Sequence, residues 1–224
     1  FQPIMFTLLF RYVFGGAIAT EGISYANFLF AGILVQTVAF GSSYTAMGVA
    51  TDLQRGVIDR FKSLPMWNSA VLVGHTVADL VRNTISAIIM ILVGLLVGFR
   101  PDATPLEWVF TFGLLLLFSF ALSWLMAIVG LFAKSIEAVQ WITFVAIMPL
   151  TFASSAFVPT DGMPAALRAF AENQPVTHTI EAIRSLTSGT TMGDHAAWAI
   201  FWSILTLAVA VPLTGYMFRK KVTR

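Results

Sequence analysis

Six stretches of this chain are each apolar for about the 20 residues that one helical crossing of a lipid bilayer needs. They run roughly over Phe1–Ala19, Phe28–Ala50, Ala70–Phe99, Leu106–Phe132, Ala138–Val158 and Ala196–Phe218. A water-soluble domain of 224 residues has no interior large enough to hide that much apolar surface, so the bilayer must serve as solvent for it. Composition agrees: 58% of the residues are hydrophobic and 11% are charged, against about 25% charged in soluble domains. The fold class expected is all-α integral membrane, with six transmembrane helices forming a single domain over 1–224. Pro149 and Pro212 fall inside the fifth and sixth segments, where neighbouring helices must satisfy the carbonyls that proline leaves unpaired.

Orientation follows from the basic residues of the short loops. Arg55, Arg60, Lys62, Lys134, Arg219, Lys220, Lys221 and Arg224 share one side of a six-crossing chain. The other side holds Arg100, Arg168 and Arg184 among several acids. Eight against three places both termini in the cytoplasm, in a cell (inner) membrane. The chain opens on Phe1, already within an apolar run and without a basic leader, so no cleavable signal peptide is evident. A cytoplasmic segment is expected to precede it.

The cytoplasmic connection after the second apolar segment reads DLQRGVIDRFKSLP over 52–65. At about 100° per residue, Asp52, Arg55, Asp59 and Lys62 share one face and Leu53, Val57, Phe61 and Leu64 the opposite one. The spacing predicts an amphipathic helix over 52–64, ended by Pro65 and lying along the membrane surface. Such a rod could present its charges to a soluble partner as a coupling helix, or could be a connector that needs solvated charges. The pattern is even-handed between the two.

The longest non-spanning stretch, 159–195, lies outside. Met163–Glu172 and Thr179–Thr187 read as two short helices separated by Asn173-Gln174-Pro175, the second stopped by Ser188-Gly189. They are expected to dip into the outer leaflet or cap a pathway.

Charges inside the apolar segments are few. Asp79 and Arg82, at i, i+3 in the third, can pair within their own helix, a reading favoured over a substrate site. Arg11, in the first, either reaches a lipid head group or pairs with Asp79 or another acid. Catalytic motifs are largely missing. His75, His178 and His195 fit no zinc-enzyme spacing and read as ordinary interfacial residues, and no G-x-S-x-G elbow occurs. Without cysteine there is no thiolate metal site or thiol nucleophile. The phosphate-cradling motif G-x-x-x-x-G-K-[ST] is absent, so no cofactor is expected on this chain. Nothing suggests nucleic acid as a partner, and the many phenylalanines read first as lipid-facing surface, second as a hydrophobic path.

The run Asp52–Met66 resembles the cytoplasmic loop motif of ABC type-2 exporter permeases, most closely the daunorubicin-resistance drug-efflux branch. The resemblance continues through Gly74, Asp79, Arg82, Val93-Gly94 and Gly98-Phe99-Arg100. On the outer side, Asn173-Gln174-Pro175-Val176-Thr177-His178, then Ala182-Ile183-Arg184 and Gly189, is similar to the family's extracellular helices. It covers essentially the whole chain and implies a permease paired with a second copy or a paralogue. Each permease would sit against a separate ATPase subunit, which would bind the ATP and Mg. It further implies that Asp52, Arg55, Asp59, Arg60 and Lys62 couple to that ATPase. The outer helices, with Asn173, Pro175, His178, Glu181 and Arg184, would gate release of a drug, antibiotic or lipid. Two rivals stay open: export of a polysaccharide or glycolipid, and a membrane-embedded enzyme acting on lipids. The second needs a converging acid, base or metal cluster that the scattered His and Asp residues do not supply.

Overall fold

The computed structural model describes residues 2–15, 24–56, 70–191 and 193–222, and every regular element among them is helical. Helix α1 (Gln2–Leu9) widens into a π-helical turn over Phe10–Phe14. Helices α2 (Tyr25–Gly41) and α3 (Ser43–Gln54) follow one another across a single intervening residue, Ser42. Then come α4 (Ala70–Val97), α5 (Pro105–Phe132) and α6 (Ile136–Phe152). Two short helices, α7 (Ala165–Asn173) and α8 (Pro175–Ser188), precede the final α9 (His195–Val222).

Four helical stretches are long and apolar enough to cross a membrane: Tyr25–Gln54, Ala70–Val97, Pro105–Phe132 and His195–Lys221. The other two expected crossings are shorter apolar helices, Pro3–Val13 and Ile136–Phe152. The α2–α3 rod and α5 form the centre. α4 packs on α2, α3 and α5, α6 lies against α3, and α9 runs along α5. Between α2, α5 and α9 sits α8.

Each boundary has a local cause. Ser24 caps α2 by accepting the Asn27 amide at 3.3 Å, and Thr104 with Glu107 forms a reciprocal capping box at the start of α5. Asn27 also ties the beginning of α2 to the end of α4. Its amide donates to the Arg100 carbonyl (2.8 Å), and its carbonyl accepts the Arg100 N–H (2.9 Å).

Three expectations need correction. The helix predicted over 52–64 does not begin at Asp52. The preceding helix runs on through Gln54, and Gly56 takes φ 64, a left-handed conformation that ends a helix cheaply only when glycine adopts it. Asp52 and Leu53 therefore belong to the last turn of the second apolar helix, while 57–69 lies outside the described residues. The fifth apolar helix ends at Phe152, not Val158. Beyond Pro149, Ser154 turns its hydroxyl onto the Thr151 carbonyl and accepts the Ala156 N–H (3.1 Å), drawing the backbone out of the helix. Finally, Pro175 does not separate the outer helices. It is the first residue of α8, a position where its fixed φ and missing N–H cost nothing, so that helix starts four residues before Thr179.

Candidate functional site

The third apolar helix carries its polar residues inward. Thr76, Asp79, Asn83, Ala87, Met90 and Gly94 recur at three- and four-residue steps and are buried. Val77, Val81, Ile85, Ile88 and Leu92 lie on the exposed face. Such a helix is soluble only in lipid, with its polar stripe against protein. Asp79 is 2% exposed. One of its carboxylate oxygens accepts Arg82 Nη1 at 2.7 Å, and the other accepts the Thr45 hydroxyl of α3. Both acceptor atoms are thus engaged, and the i, i+3 pairing read from the spacing is formed.

Arg82 leans over the ring of Tyr44, its guanidinium carbon 4.5 Å from the ring centre. One residue on, the Asn83 amide donates to Ser119 Oγ of α5 at 2.8 Å. α2 and α4 can approach this closely because position 41 is glycine: a Cβ there would stand 2.0 Å from Asn83 Oδ1.

Arg82, Asn83, Ser86, Ile89 and Met90 of α4 form one wall of a cavity of about 600 Å³ between α1, α2, α3, α4 and α6. Its polar lining includes Gln36, Thr37, Ser43, Arg82, Asn83 and Gln140; its apolar lining includes Phe6, Phe40, Met47, Ile89 and Met90. A second space of about 210 Å³ shares Phe40, Ser43, Met47 and Gln140 and reaches Thr143 and Phe144 of α6. Two buried polar groups on these walls have no protein partner, Gln36 Nε2 and Thr143 Oγ1. Sequence reading flagged Asp79 and Arg82 but missed Gln36 and Gln140. Each is a lone amide in an apolar run, and only the packing brings them to one space.

Arg11 lies elsewhere. Its guanidinium approaches Gly98, whose missing Cβ would be 3.5 Å from Nη2, at the far end of α4. At about 1.5 Å per residue, Gly98 is about 28 Å along the helix from Asp79, so the Arg11–Asp79 pairing held open from the sequence is not formed.

Of the proposed coupling residues, Asp52 and Arg55 are described; Asp59, Arg60 and Lys62 lie outside the described residues. Asp52 Oδ2 is 2.7 Å from His75 Nε2, which joins the end of α3 to the first turns of α4 and closes the base of the intervening segment. Arg55 is exposed at the helix end. His75, read from the sequence as an ordinary interfacial residue, is the missed member of this contact, and 23 residues of separation hide it from any local pattern.

The outer residues divide into two groups. Arg184 of α8 is buried, its guanidinium 3.7 Å over the Phe28 ring. Its nitrogens donate to the Phe28 carbonyl (3.3 and 3.1 Å) and the Ser155 carbonyl (2.7 Å), and it pairs with Glu181. It clamps α8 onto the start of α2 and the end of α6. His178 is also buried, with Nδ1 3.2 Å from His195 Nδ1 and its ring against Trp198. Burial, and secondarily the neighbouring His195, pushes the His178 imidazole below the usual histidine range. Asn173 is exposed and bonds back to the Ala169 carbonyl of α7; Pro175 starts α8. Among the described residues, no three His, Asp or Glu side chains converge as a metal site would require.

The sequence matches the ABC-2 type transporter family over residues 1–187. It is 35% identical over 220 residues to the "Daunorubicin resistance ABC transporter permease protein DrrB1" of Streptomyces coeruleorubidus, covering 98% of this chain and 78% of the relative. It is 24% identical over 221 residues to the "Probable doxorubicin resistance ABC transporter permease protein DrrC" of Mycobacterium tuberculosis (strain CDC 1551 / Oshkosh), covering 96% and 78% of the two chains. An apolar helical bundle whose polar groups line internal space is what a permease needs, and with these matches the chain belongs to the ABC-2 type transporter family, as a multi-pass all-α membrane permease.

Proposed function

We propose that this chain is the membrane-spanning subunit of an exporter that moves a hydrophobic or amphiphilic compound (a drug, an antibiotic or a lipid) out of the cytoplasm or inner leaflet. In this reading it crosses six times with both termini cytoplasmic, works with a second permease copy or paralogue, and draws energy from a separate ATPase subunit. The observation that carries it is the half-polar cavity walled by α4, in a family member without a phosphate-binding loop. A helix that buries Asp79 and Asn83 and sets Arg82 beside the cavity maintains polar groups at membrane depth, which is costly unless they serve a path. The two relatives are named for daunorubicin and doxorubicin resistance, which supports a drug as cargo.

Force transmission is assigned to the 52–62 segment. Asp52 is anchored on His75, so motion imposed on the segment by an ATPase at Arg55, Asp59, Arg60 and Lys62 reaches α3 and α4 together. At the outer end, α8 gates release, with His178 and Glu181 near its mouth and Arg184 holding its seat. ATP binding would close the ATPase pair, shift the two permeases at their mutual contact and open the outer helices.

The test is purification from native membranes in gentle detergent, then reconstitution in vesicles. The chain alone is expected to show no ATP hydrolysis, and an ATPase subunit is expected to co-purify. Reversing Asp59, Arg60 and Lys62 together is expected to release that subunit or abolish transport. Absence of any ATPase from the preparation, or wild-type transport by the reversed variant, overturns the reading.

A further inference from the structure

The cavity beside α4 has an uneven electrostatic lining. Arg82 is the charged side chain among the described residues that line it. The Arg82 side chain is 48% exposed, whereas its partner Asp79 is 2% exposed. Asp79 is not among the residues that line the space, and Arg82 and Thr45 each hold one of its oxygens. A guanidinium carries five N–H donors and no acceptor, and Asp79 engages one of its nitrogens. Gln36, on the same lining, is 4% exposed with its amide nitrogen unpartnered. A buried amide without a partner costs free energy unless a ligand completes it.

We propose that the cavity binds the polar end of its ligand on Arg82 and Gln36, and so selects single-tailed amphiphiles whose head offers oxygen acceptors over those whose only polar group is an ammonium. A carboxylate, phosphate or cluster of carbonyl and hydroxyl oxygens accepts from both residues at once, with its apolar body against Phe40, Met47 and Met90. An ammonium head meets the Arg82 guanidinium and, among the described lining residues, no carboxylate, and the Tyr44 ring is already covered by Arg82. The volume falls within the roughly 300–1,000 Å³ of sites for drug-sized ligands, which favours one tail over a diacyl lipid.

This inference rests on the permease reading but is tested without transport. The detergent-purified chain is titrated with fluorescent dodecanoate, with a fluorescent dodecyltrimethylammonium carrying the same dye, and with fluorescent phosphatidylglycerol. Saturable binding of the carboxylate, and weaker binding of the other two, is expected. Arg82→Gln should weaken carboxylate binding by about tenfold or more and leave the ammonium unaffected. Because Arg82→Gln strands Asp79, the double variant Asp79→Asn with Arg82→Gln is measured beside it and should show the same loss in a folded protein. Gln36→Leu leaves the ion pair intact and should weaken the carboxylate by about threefold. Equal binding of ammonium and carboxylate, preference for the diacyl lipid, or unchanged carboxylate binding in the folded double variant overturns the proposal. If instead the selectivity holds while no ATPase partner can be found, the site stands and the permease reading falls.

Discussion

Helices α8 and α9 are adjacent in sequence and in space, and they reverse the rule that holds in water. α8 is rich in threonine and serine and carries a histidine, a glutamate and an arginine, yet it is buried almost from end to end. α9 is apolar through most of its length, and only 17% of its most apolar stretch is buried. The same reversal separates Tyr25–Gln54, of hydropathy 1.3 and 78% buried, from Ala70–Val97, of hydropathy 2.2 and 22% buried. When lipid is the solvent, apolar surface gains nothing by hiding, and small and polar side chains drive helices together. Burial of α8 is eased where three of its hydroxyls close onto its own backbone: Thr179 onto Pro175, Ser185 onto Glu181 and Thr187 onto Ile183, at 2.8–2.9 Å.

The hardest blow to this contrast would come at Arg184. Removing it strands Glu181 and the carbonyls of Phe28 and Ser155 in a buried place. Arg184→Ala is expected to cost about 3–5 kcal/mol, seen as a large fall in melting temperature in detergent micelles. A melting curve like the wild type's would show that α8 is not held by this clamp. Arg184→Lys should fall between, because an ammonium cannot reach both carbonyls as a planar fork does.

A paired glycine substitution sharpens the comparison between packed and lipid-facing helices. Gly41→Ala places a Cβ 2.0 Å from Asn83 Oδ1, whereas Gly215→Ala on α9 meets nothing within 4 Å. The first should destabilise by about 1–3 kcal/mol, while the second should be neutral or stabilise by up to about 1 kcal/mol. Equal effects in the two melts would mean the close approach of α2 and α4 is not required.

The smallest effect expected is a pH slope at His178 of α8. His178 is held below its ordinary range by burial and by His195, with Glu181 opposing. Above about pH 6.5 it is neutral folded and unfolded, so it contributes no slope. As pH falls through that value the unfolded chain takes up a proton that the folded site resists, so stability drops toward acid by at most about 1.4 kcal/mol per pH unit. Melts from pH 7.5 to 5.5 should lose this slope in His178→Gln. A slope that persists would assign it to other groups.

Much of the architecture was legible along the chain. The apolar runs gave the helices in order, Gly189 stopped the second outer helix as expected, and the Asp79–Arg82 spacing announced its ion pair. Helix boundaries failed where one residue outweighed a pattern. Gly56 broke an otherwise consistent amphipathic stripe, Ser154 unwound an apolar run, and Pro175 began a helix it was expected to precede. The candidate site was legible only in its charges, because an isolated glutamine in an apolar run carries no sign of what it faces.

The division has a physical cause. Transfer of a segment into lipid is a sum over its own residues, so sequence alone determined that this chain is helical, membrane-spanning and without a phosphate loop. Which polar groups meet is a matter of pairs far apart in the chain. Asp52 with His75, Thr45 with Asp79, and Arg184 with the Phe28 carbonyl were decided by tertiary packing, since only there does burial force each donor to find its acceptor.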